Sequence, residues 1–90
     1  MADVKKKASA GTLESSDVYV EIEPAEAGLA IDLQSVVQAQ FGDAIEETVR
    51  QVLQEQAVES ANVRIIDRGA LDCVIRARVE TAILRGGEKN

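Results

Sequence analysis

The sequence predicts an α+β fold: a small, mostly antiparallel sheet of three or four strands with two helices on one face, in the order β-β-α-β-α. Three observations carry that prediction. Residues 18–23 and 29–37 alternate apolar and polar side chains with a period of two, the signature of half-buried strands. From Gly42, and again from about residue 70, the apolar spacing lengthens to that of a helix. Between those helical stretches lies a short run rich in β-branched side chains, Val63-Arg64-Ile65-Ile66.

Taken in order, residues 1–8 read as a polar, lysine-rich, flexible tail, 9–86 as one domain, and 87–90 as a C-terminal tail. Gly11-Thr12-Leu13-Glu14-Ser15-Ser16-Asp17 is rich in turn formers, and an extra strand at 10–14 could pair through the Ser15-Ser16 turn. In the first strand Val18, Val20 and Ile22 share a face, and Pro24 ends it because proline cannot donate to a ladder. In the second, Leu29, Ile31, Leu33, Ser35 and Val37 share a face; the short link suggests that the two pair antiparallel.

Asp43 followed by Glu46 resembles a capping box, so the first helix is expected over 43–57, with Ile45, Val49, Val52, Leu53 and Ala57 as its apolar stripe. A third strand at 63–66 leads through an Asp67-Arg68-Gly69 turn to a second helix at about 70–85, whose stripe is Leu71, Val74, Ile75, Val79, Ala82 and Ile83. Gly86-Gly87 would stop it.

Composition narrows the function. The chain has 90 residues, 16 acidic and 10 basic, for a net charge of −6. Nucleic acid is therefore not an expected partner, because phosphate contacts need clustered Lys and Arg. An acidic surface fits docking onto basic patches of proteins. No stretch approaches the ~18–20 apolar residues of a membrane span, and the N-terminus lacks a signal-peptide core, so no membrane is expected and the cytoplasm is the expected compartment. Tyr19 and Phe41 are the only aromatics, leaving the core to Val, Ile, Leu and Ala.

Histidine is absent, which removes the usual general base at neutral pH and every His-dependent triad or metal site. Glu21, Glu23, Glu46 and Glu47 lie on predicted solvent faces and read as solvated charges rather than catalytic pairs. The lone Cys73 permits no internal disulfide and reads as a small core side chain; no metal site and no catalytic residue is expected. Ser15 has no base beside it in sequence. By chemistry alone it is either a turn serine capping a backbone amide or an exposed hydroxyl that another enzyme modifies.

Three segments carry a resemblance: Ala10-Gly11-Thr12-Leu13-Glu14-Ser15-Ser16-Asp17, Gln40-Phe41-Gly42-Asp43-Ala44-Ile45 and Gly69-Ala70-Leu71-Asp72-Cys73-Val74-Ile75-Arg76-Ala77-Arg78. In this order the chain resembles the citrate lyase acyl carrier proteins (gamma subunits), of the citrate lyase/malonate decarboxylase acyl carrier family. The resemblance spans residues 8 to 85 or so. It implies that Ser15, the serine after Thr-Leu-Glu, carries 2'-(5''-phosphoribosyl)-3'-dephospho-CoA through a phosphodiester. Ser16 beside it also offers a hydroxyl, and the Glu-Ser order favours Ser15.

The resemblance further implies a non-catalytic carrier subunit that holds acetyl and citryl thioesters while citrate is cleaved to acetate and oxaloacetate. Implied partners are the transferase (alpha) and lyase (beta) subunits, the enzyme attaching the arm and the ligase acetylating it. Glu14 and Asp17 would be acidic markers for partner recognition. The alternatives are the carrier of a malonate decarboxylase and an unmodified adaptor subunit.

Overall fold

Six elements follow one another in the computed structural model, which describes residues 4–36 and 38–87: β1 (Ala8–Gly11), β2 (Val18–Glu23), β3 (Leu29–Ser35), α1 (Gln38–Glu55), β4 (Ala61–Asp67) and α2 (Asp72–Gly86). Residues 1–3 and 88–90 of the expected tails, and Val37 of the expected second strand, lie outside the described residues. The order is β-β-β-α-β-α, so the additional strand exists, at 8–11 rather than 10–14.

The expected class holds, with one correction to the pairing. β2 and β3 are not neighbours. The sheet order is β1-β2-β4-β3, with β1–β2 and β2–β4 antiparallel and β3–β4 parallel. Burial explains why β4 takes the place between them. Ala61, Val63, Ile65 and Asp67 of β4 are almost wholly buried, whereas Leu29, Ile31 and Leu33 of β3 are half-buried, as an edge strand allows. Each fully buried Val or Ile contributes about 1.5–3 kcal/mol, so the more buried strand belongs inside. The link over 24–28 is long enough to skip a strand, since five extended residues reach about 16 Å and strands lie about 5 Å apart. The helix α1 then carries the chain from β3 to its parallel neighbour, as such crossovers require.

One sheet face is covered and the other is open. Val18, Val20 and Ile22 of β2 and Val63 and Ile65 of β4 meet Ile45, Val49, Val52 and Leu53 of α1 and Ile75, Val79, Ala82 and Ile83 of α2 in one core. Glu21, Glu23, Asp32 and Arg64 line a shallow depression on the other face. At the end of the sheet far from residue 15, the Lys5 and Lys6 amides donate to the Gly86 carbonyl at 2.8 and 3.1 Å.

Five local expectations are corrected. α1 begins at Gln38, not Asp43, so Asp43 and Glu46 do not cap its start. The apolar spacing runs back through Phe41, and Gly42 is tolerated inside the helix at a cost of about 1 kcal/mol. α1 ends at Glu55 rather than 57, because Ala57 adopts φ 58°. The Ala57 amide donates to the Gln54 carbonyl at 3.0 Å and Val58 to Leu53 at 2.9 Å, a Schellman cap in which buried Val58 lies against Leu53. Asp67 closes β4 and is 1 % exposed rather than sitting in an open turn. Cys73 is exposed, not core, because it lies two residues, about 200° of helix, from buried Ile75. Leu71 falls outside the stripe because it is the extended N-cap residue before α2, φ −70° and ψ 155°, and it is 71 % exposed.

Gly11 closes β1 at φ 91°, and a Cβ there would lie 1.8 Å from the Val18 carbonyl oxygen. Gly11→Ala should therefore destabilise the fold by more than about 2 kcal/mol, read as a lowered denaturant midpoint. Ala57→Gly should do the opposite and stabilise by up to about 1 kcal/mol, because only the left-handed backbone is relieved.

Candidate functional site

The link between β1 and β2 is short and polar, and it is fastened from several directions. The Asp17 amide donates to the Glu14 carbonyl at 3.2 Å, closing a turn over 14–17. Of its two central residues only Ser16 has a positive φ, 65°, which makes the turn type II with Ser15 at its outer corner. The Ser16 amide donates to the Arg68 carbonyl at 2.8 Å, and the Arg68 amide donates to the Asp17 carbonyl at 2.9 Å. Ser16 and Asp17 together thus oppose the single residue Arg68. This is a G1-type β-bulge, with Ser16 where glycine is usual.

The Asp17 carboxylate secures the turn. It accepts the Thr12 hydroxyl at 2.7 Å and the Val18 amide at 2.7 Å. Arg78 of α2 approaches both oxygens, with Nε to Oδ1 at 3.2 Å and Nη2 to Oδ2 at 3.0 Å, the fork geometry guanidinium offers a carboxylate. The Thr12 hydroxyl first, then the Val18 amide and Arg78, hold the Asp17 carboxyl down to about 2 from 3.8. Beneath the turn a second carboxylate repeats the device. Buried Asp67 accepts the Ser35 hydroxyl at 2.8 Å and the Ala70 amide at 2.9 Å, joining the ends of β3 and β4 to the approach of α2. Sequence reasoning missed Asp67, although its parity with Ala61, Val63 and Ile65 was the available signal.

The three sequence motifs converge on this end of the sheet. Asp17 of the first meets Arg78 of the third. Phe41, Ala44 and Ile45 of the second line a small apolar cleft with Ala70, Asp72 and Ile75 of the third. Ser15 and Glu14 are exposed, and neither side chain makes a hydrogen bond or ion pair among the described residues. Ser16 is exposed as well. The arrangement can present a hydroxyl but cannot activate one. No group of three or more His, Cys, Asp or Glu able to hold a metal occurs among the described residues, and no helix among them is long and apolar enough to cross a membrane.

Comparison with known proteins agrees with this arrangement. The sequence profile described as malonate decarboxylase delta subunit (MdcD), an acyl carrier profile, matches residues 5–86. The citrate lyase acyl carrier protein of Lactococcus lactis is 55 % identical over 86 residues, covering 96 % of this chain and 90 % of that protein. The chain belongs to the citrate lyase/malonate decarboxylase acyl carrier family. The citrate lyase acyl carrier protein of Escherichia fergusonii is 51 % identical, covering 97 % of this chain and 91 % of its own length. In the solved Pseudomonas malonate decarboxylase hetero-tetramer in complex with malonate, one chain is 26 % identical with a TM-score of 0.82, covering 93 % of this chain and 87 % of that one. The family and the names of these relatives support an acyl carrier role for the chain.

Two outcomes test the carrier's turn. Because folding lowers the Asp17 pKa, its stabilisation is complete above 3.8 and is lost as pH falls through about 2. Asp17→Asn should melt below the wild type at neutral pH, and the gap should close between pH 3.8 and about 2 in thermal scans. Ser16→Gly should stabilise by up to about 1 kcal/mol by relieving the left-handed residue.

Proposed function

We propose that the chain is the acyl carrier subunit of a citrate lyase and that Ser15 anchors its arm, 2'-(5''-phosphoribosyl)-3'-dephospho-CoA, through a phosphodiester. The observation that supports this reading most is the Ser15 turn: an exposed, unbonded hydroxyl at the outer corner of a bulge anchored by the Ser16, Asp17 and Arg68 backbone and by the Asp17 carboxylate. The residues present fit such a group. Attachment needs a reachable hydroxyl and room around it, both of which the corner offers, and the attaching enzyme must bring the base.

When bound, the arm supplies a thiol that holds acetyl or citryl as a thioester. The chain's own contribution is positional. Asp17 and Arg78 fix the root of the turn on α2, so the arm swings from a defined point. Tethering raises the local concentration of the acyl group at each partner site to the millimolar order of short flexible links and keeps intermediates from escaping. The transferase (alpha) and lyase (beta) subunits, the attaching enzyme and the acetylating ligase would act on the arm in turn, in the cytoplasm.

Glu14 is the acidic marker best placed for recognition, since its carboxylate is exposed and unengaged. Asp17, the other proposed marker, has its oxygens occupied inside the chain, so its part in recognition would be to hold Glu14 and Ser15 in place. Reversing the charge of Glu14 should slow arm attachment at low salt several-fold, as expected for a rim charge. The malonate decarboxylase carrier is the second reading, favoured by the matching profile and by the likeness to a chain of the Pseudomonas hetero-tetramer.

Intact-mass measurement tests the anchor. Protein from a host carrying the whole pathway should weigh more than the bare chain by the arm, and Ser15→Ala should remove that increment while Ser16→Ala and Cys73→Ser keep it. An increment retained in Ser15→Ala would overturn the assignment. Acyl exchange of the armed carrier with citrate rather than malonate, in the presence of its own partner subunits, separates the two branches.

A further inference from the structure

Four of the six arginine side chains in this acidic chain have a bonded partner. Arg50 pairs with Glu46, Arg76 with Glu55 and Arg78 with Asp17, and Arg85 donates to the Ser9 carbonyl. Arg68 differs. Its backbone is bonded in both directions to the turn, from the Ser16 amide and to the Asp17 carbonyl. Its side chain is exposed and makes neither a hydrogen bond nor an ion pair among the described residues. The bulge therefore holds an uncommitted guanidinium directly across the ladder from the residue that follows Ser15. Asp17, the nearest carboxylate across the ladder, is already satisfied by Thr12, Val18 and Arg78, and exposed Glu14 does not engage Arg68.

We infer that Arg68 is a phosphate-binding residue that grips the phosphodiester linking the arm to Ser15. The inference rests on the attachment reading above. A planar guanidinium matches two oxygens of a phosphodiester, and a lysine ammonium does so only as a point charge. The grip sets the direction in which the arm leaves the turn. Beside Arg68, Gln34, Ser35, Val36, Ile66 and Asp67 form an open depression at the ends of β3 and β4.

The test uses armed carrier from a host with the attaching enzyme, labelled with nitrogen-15 at arginine, beside the bare Ser15→Ala chain. Intact mass first establishes that the arm is on. The Arg68 Nε–H signal, identified by its loss in Arg68→Gln, should shift between bare and armed protein. The phosphorus-31 line of the phosphodiester should shift in Arg68→Gln and less in Arg68→Lys. The exposed side chain should be replaceable without a change in melting temperature, so a shift is not a folding effect. If mass shows the arm on Ser15 while both signals stay where they were, Arg68 does not bind the phosphodiester and the attachment reading stands. If no arm is found on Ser15, both fall.

Discussion

The bond from Arg78 to Asp17 is the constraint on which the site depends. It joins the helix that closes the core to a turn that would otherwise be a solvent-exposed hairpin end. An isolated surface ion pair is worth little. This one differs in its company. The same carboxylate takes the Thr12 hydroxyl and the Val18 amide, and the same turn is laddered to Arg68 through the bulge. Asp67 beneath it ties Ser35 to Ala70, so the ends of β2, β3 and β4 and the start of α2 form one bonded unit. The corner at Ser15 stays outside that unit, its hydroxyl exposed. Rigidity at the base and freedom at the tip are what a tethering point requires.

That division also suits a small chain whose proposed part is to carry rather than to catalyse. It contains no histidine, and the one buried carboxylate among the described residues, Asp67, is spent on structure. A carrier needs a hydroxyl to receive an arm, a surface partners can approach, and enough core to keep both in place. The aliphatic core supplies the last through interlocking Val, Ile and Leu from one sheet face and two helices. On the proposed reading the chemistry would belong to the arm and to the partners.

Much of this was legible in the sequence, and what was not had a common cause. Alternation marked the strands and the spacing of Val49, Val52 and Leu53 marked α1, because these depend on local period alone. The exposed turn at Ser15 followed from Gly, Ser and Asp. Sheet order was not legible, because the parallel pairing of β3 with β4 is decided by how α1 packs, a long-range matter. The bulge escaped notice because its partner, Arg68, is remote in sequence and Ser16 is an unusual occupant of a glycine position. Asp17 and Asp67 both read as turn residues, yet each is a hub whose partners lie on other elements. Cys73 misled in the opposite sense: base rates place cysteine inside, and helical phase put it outside.

Amide hydrogen exchange across the turn tests the account most directly. The Ser16 and Arg68 amides, which bond across the bulge, should exchange slowly, near the rates of the β2 and β4 ladders, while the unbonded Ser15 amide beside them exchanges freely. If Ser16 and Arg68 exchange as fast as Ser15, the turn is not anchored to the fold, and the presentation of its hydroxyl from a fixed base is contradicted.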